Sequence, residues 1–110
     1  MSIILKDKNI TLRANEFSVD DLTGTIFMVD EKERKLLVKL DNPLTIKGIT
    51  YQMVIATPRL SKHAIVLLLN NKVLGCSVTW VPEKQYNPDN PFDLNWWRGG
   101  AAAIADIYLN

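Results

Sequence analysis

The chain has 110 residues, 47% of them apolar and 23% charged, with 13 Lys+Arg against 12 Asp+Glu and a formal net charge of +1. That length suits one domain spanning residues 1–110 with a core of its own, and that composition is far from the charged, apolar-poor profile of disorder. The charge balance supplies no global field toward phosphate backbones or anionic lipid, and the single Cys76 closes no intramolecular disulfide. The longest apolar run, Ala64 to Leu69, is about a third of the ~20 residues a membrane-spanning helix needs. Met1 to Asp7 lacks the long apolar stretch of a signal peptide. The expectation is a protein of the reducing cytoplasm with no membrane association.

Ser2-Ile3-Ile4-Leu5 and Asn9-Ile10-Thr11-Leu12-Arg13 flank the polar break Lys6-Asp7-Lys8, which reads as a hairpin. Ser18 to Gly24 has a capping residue, an acid three positions on and a glycine at its end, which suits a single helical turn. Thr25 to Val29 and Lys35 to Leu40 bracket the charged segment Asp30 to Arg34, too short for a crossover helix, so the two strands should be antiparallel. In the second, Leu36, Val38 and Leu40 share one face, and Lys35, Leu37 and Lys39 the other. Asp41-Asn42-Pro43 is expected to end it.

Ile49 to Thr57 follows Gly48 and stops at Pro58, which removes a backbone donor and disfavours helix before it. Ala64 to Leu69 and Lys72 to Val81 are joined by Asn70-Asn71, a tight-turn signal, with the first strand expected to be central and the second nearer an edge. Pro82 to Pro91 holds three prolines plus Asn87, Asp89 and Asn90 and reads as an unusually long loop. After it two patterns compete. Ile104, Ile107 and Tyr108 fall at helical spacing behind three alanines, whereas Ala103, Ala105, Ile107 and Leu109 would share one face of a closing strand. The helix is slightly favoured. The fold class that follows is mainly β, a small antiparallel barrel or sandwich of six to seven short strands, with one short C-terminal helix allowed.

The residues that could carry chemistry are few. His63 is the only histidine, which removes zinc sites built on several imidazoles and leaves a dyad with Cys76 as the sole familiar nucleophilic pair. Cys76 shares a strand face with Leu74, Val78 and Trp80, so it reads first as a small core side chain, and His63 as a solvated turn residue. Asp20-Asp21 belongs to the expected helical turn, and the run Asp30, Glu31, Glu33, mixed with Lys32, Arg34 and Lys35, reads as a solvated loop. Asn87, Asp89, Asn90 and Asp93 are hard oxygen donors without the EF-hand spacing. No phosphate-loop, dinucleotide, nucleophile-elbow or zincin motif is present.

Trp96-Trp97-Arg98-Gly99-Gly100 is the least ordinary segment. Adjacent indoles cannot point the same way, so one can pack inward while the other forms a contact surface, and Trp and Arg are the residues enriched at binding hot spots. If a helix started near Gly99, the free N–H groups of Gly99 to Ala102 beside Arg98 would suit an anion. The plainer reading is two aromatics anchoring a C-terminal segment over a barrel end. With no catalytic set, no cofactor signature and no metal set, the expected function is a non-catalytic protein-interaction or accessory module. It would act through the Pro-rich loop and Trp96, Trp97, Arg98, Gly99 and Gly100. The alternative is a small-molecule or anion-binding barrel with a pocket near Trp80 and the same segment. Single-stranded nucleic acid ranks third, since the aromatic and basic pairing is limited to Tyr51 with Lys47 and to Lys35 with Lys39.

Overall fold

In the computed structural model the described residues are 5–13, 21–30, 32, 34–58, 73–92 and 102–110. They form six strands: β1 (Asn9–Arg13), β2 (Leu22–Asp30), β3 (Lys35–Ile46), β4 (Ile49–Pro58), β5 (Leu74–Pro82) and β6 (Ala102–Leu109). Each pairs antiparallel with the next in sequence, and β6 returns to pair with β1, closing a barrel in the order β1-β2-β3-β4-β5-β6. Closure leaves no unpaired edge in the ring, which is how a small all-β chain avoids edge-to-edge association.

The inside of the barrel is set by alternation. Ile10, Leu12, Ile26, Leu36, Val38, Leu40, Val54, Ala56, Leu74, Cys76, Val78, Trp80, Ala105 and Ile107 are buried in one cluster, with Leu5 beside them. A barrel of this strand number has an interior that side chains fill rather than a lumen. Close approach of β2 and β3 is enforced at Gly24, where an added Cβ would lie 2.6 Å from the Lys39 carbonyl oxygen and 2.8 Å from Val38 Cγ1.

Several sequence expectations change. Residues 102–109 form strand β6 rather than a helix. Ala105 and Ile107 face the core and Leu109 packs at its margin, while Ile104 is half exposed. The alanine run lost to tertiary pairing, because β1 and β5 each have one edge that only β6 fills. Asp41-Asn42-Pro43 does not end β3: the strand runs through to Ile46, with a register shift against β4 between Lys39 and Leu44 that takes up the proline as a bulge. A two-residue turn, Lys47 (φ 50°) and Gly48 (φ 81°), then joins β3 to β4, the positive-φ pair that matches strand twist.

The helical turn expected over Ser18–Gly24 lies partly outside the described residues, and its end, Leu22 to Gly24, is the start of β2. The strand expected over Ser2–Leu5 is likewise outside apart from Leu5, which opens a turn, and β1 has β2 and β6 on its two sides. Ala64–Leu69 lies outside the described residues. Its expected partner, β5, is no edge strand, because from Cys76 to Thr79 it is paired with β4 on one side and β6 on the other.

Candidate functional site

Of the residues singled out from sequence, Trp80 is described and is core. Only 4% of its surface is exposed, and its ring lies 6.1 Å from that of buried Tyr51, tilted by 50°. Trp80 is thus part of the core, and buried Tyr51 does not make an exposed stacking pair with Lys47. Trp96, Trp97, Arg98, Gly99, Gly100 and His63 fall outside the described residues. Cys76 is buried, as its strand position suggests. Among the described residues no three His, Cys, Asp or Glu side chains gather where a metal ion could be held. Asn87 and its neighbours serve the loop itself: the Asn87 side-chain oxygen accepts from the Asp89 N–H at 3.0 Å, and the Asn87 carbonyl accepts from the Asn90 N–H at 3.1 Å.

The outer surface is more informative than the interior. Leu37, Met53, Ile55 and Val81 form a second buried apolar cluster, and partly buried Tyr86 and Phe92 pack against it. Strand parity places all four on the outside of the barrel, Leu37 opposite Ile55 and Met53 opposite Val81. The Pro-rich loop thus has a structural task. It leaves β5 at Pro82, makes a short 3₁₀ turn over Glu83–Gln85, and sets two aromatic rings on the outer face. Leu37 illustrates the effect: it shares its face with Lys35 and Lys39, as the sequence pattern required, yet none of its surface is exposed.

This apolar face continues past its cover onto β2. The β2–β3 register slips between Ile26 and Met28, so Phe27 is the extra residue of a bulge and Met28 stands opposite Leu37. Both side chains point outward, 41% and 38% exposed, while Ile26 is buried and Val29 packs on the core. A regular strand would have sent one of them inward. The signal was legible as four successive apolar residues, Ile26 to Val29, in a strand that alternation alone could not accommodate.

Lysines flank the pair. Lys39 opposes Thr25 and Lys35 opposes Asp30, one on either side of Phe27–Met28 along β3. On the other side of β2 the turn Leu5–Lys8 is pinned at Ile26: the Asp7 N–H donates to the Ile26 carbonyl at 2.7 Å, and the Ile26 N–H donates to the Lys8 carbonyl at 2.9 Å. This brings exposed Lys6 and Lys8 to the same neighbourhood.

Two other features sit elsewhere on the barrel. A surface cleft of about 380 Å³ lies between the β3–β4 turn and the 3₁₀ turn, lined by Gly48, Ile49, Thr50, Pro82, Glu83, Lys84 and Gln85. On β1, Arg13 donates from Nε to Asp21 at 3.0 Å and from an η nitrogen to the Tyr108 hydroxyl at 2.9 Å, with its guanidinium carbon 5.5 Å from the Tyr108 ring centre. The hydrogen bond and charge of Asp21 hold the Arg13 pKa above its ordinary value. Because Tyr108 belongs to β6 and Asp21 immediately precedes β2, this group clasps the seam where the barrel closes. Arg13 is held by both partners at once, which suits a structural clasp.

Set against protein-family models, curated proteins and solved structures, the chain matches none.

Proposed function

We propose that this protein is a non-catalytic binding module that works by contacting another protein across the outer face of its barrel. The surface would comprise the loop Pro82–Phe92, the Phe27–Met28 bulge of β2 beside it, and the segment Trp96-Trp97-Arg98 that follows Phe92 closely in sequence. The observation that supports this most is the bulge. Two large apolar side chains stand side by side in solvent, on a face whose remaining apolar residues are covered by the protein's own loop. Contiguous exposed apolar surface of this kind marks interaction sites, whereas single exposed apolar residues are ordinary. Bulges also re-aim side chains at functional surfaces.

A photo-crosslinking phenylalanine analogue tests the reading. Placed at Phe27 in the full chain and irradiated in the native host cell, it should trap a discrete protein adduct. The same analogue at Thr23, exposed on the same strand, should trap none. Adducts of equal yield at both positions, or none at Phe27, would defeat the proposal.

A further inference from the structure

We infer that the Phe27–Met28 surface receives an extended peptide segment that combines apolar side chains with acidic ones. This rests on the protein-contact reading above and names the chemistry of the partner. The anchor is apolar: Phe27 and Met28, with buried Leu37 opposite Met28, offer a ring, a flexible thioether and a firm floor. The border is basic. Lys6 and Lys8 lie along one flank, and Lys39 and Lys35 along the other, against Asp7 and Asp30.

Lys6, Lys8 and Lys39 are exposed and make no ion pair with any described residue, so no described carboxylate neutralises their charges. A partner that buries the apolar pair and places carboxylates beside these lysines gains electrostatic steering and register without having to break an internal salt bridge. A basic partner would be repelled by the same border. Single-stranded nucleic acid is the competing polyanion, but it needs several exposed rings for stacking. Among the described residues Phe27 is the one exposed ring, since Tyr86 and Phe92 are half-buried against the outer face and Tyr51 and Trp80 are buried.

Panning a phage library of random twelve-residue peptides on the full-length protein is the test, with oligo(dT) of fifteen nucleotides as the polyanion control. Enriched peptides should carry net negative charge together with aromatic or aliphatic residues. Their affinity should fall roughly thirtyfold on Met28→Asp, the loss expected of a central anchor. It should fall several-fold on Lys39→Glu at low salt and less at high salt, as a screened rim charge requires. Both variants should melt cooperatively near the parent temperature, because the altered side chains face solvent; Phe27→Asp replaces Met28→Asp if the latter does not.

Enrichment without acidic bias, affinity indifferent to both substitutions, no enrichment at all, or oligo(dT) binding lost on Lys39→Glu would each overturn the inference. The first, with Phe27 crosslinks intact, would leave the protein-contact reading standing. Loss of the crosslinks as well would remove both.

Discussion

Replacing Ile107 with Ala measures whether the barrel is closed as described. Ile107 is fully buried and sits at the seam, opposite Leu12 of β1 and Leu74 of β5. Truncating a fully buried isoleucine removes its transfer free energy and leaves a cavity, together worth about 2–5 kcal/mol. For a chain of 110 residues, an unfolding entropy of about 2.1 cal/mol/K per residue converts each kcal/mol into roughly 4 °C, so the melting temperature should fall by about 8–20 °C.

Ile104→Ala is the internal control. That residue is 52% exposed on the outer face, and its truncation should change stability by only about 0.5 kcal/mol or less, the range of an ordinary surface substitution. Thermal and urea unfolding followed by circular dichroism supply both numbers. A C-terminal helix would bury Ile104 and Ile107 on one face and make the two losses comparable. Equal losses, or an Ile107→Ala loss below about 1 kcal/mol, would refute the closing strand and with it the barrel.

Two further outcomes follow from the packing. Gly24→Ala should destabilise by about 1–3 kcal/mol, as overpacking does, because its new methyl would meet the Lys39 carbonyl, a backbone atom that cannot swing aside; a neutral effect in urea melts would show that β2 and β3 are farther apart. The Cys76 thiol is buried in the core, so its reaction with a disulfide reagent should be slow in the native state and should accelerate across the unfolding transition; prompt labelling of native protein would place it at the surface.

Much of the architecture was readable because strand alternation has a period of two. Leu36, Val38 and Leu40 were assigned to the core from spacing alone and are core; the antiparallel pairing of the strands around residues 30–34 followed from the shortness of the turn. The reading failed where local rules and global closure disagree. Pro43 is a strand breaker in isolation, yet a bulge absorbs it because the β3–β4 hairpin continues beyond the barrel ring. Ala102–Leu109 carries helix-forming alanines, yet two waiting strand edges made it a strand.

The candidate surface was only half legible. The Pro-rich loop was singled out, but its dependence on Leu37, Met53, Ile55 and Val81 involves residues far apart in the chain that strand register alone brings together. Residue type marks Trp80 as a candidate for binding, and its position in β5 turns it inward against Tyr51. Residue type reports what a side chain is able to do; only the direction of its Cα–Cβ bond in the folded sheet decides whether anything outside can reach it.

By itself, then, the amino-acid order determined a β-rich fold, the faces of its most regular strands and the absence of familiar catalytic motifs, because these depend on composition and on spacing over a few residues. Tertiary structure decided that the sheet closes on itself, that its last segment is a strand, and that Phe27 and Met28 both stand outside. Closure is a property of the whole ring: each strand needs two partners, and no local window contains the information that the sixth must meet the first.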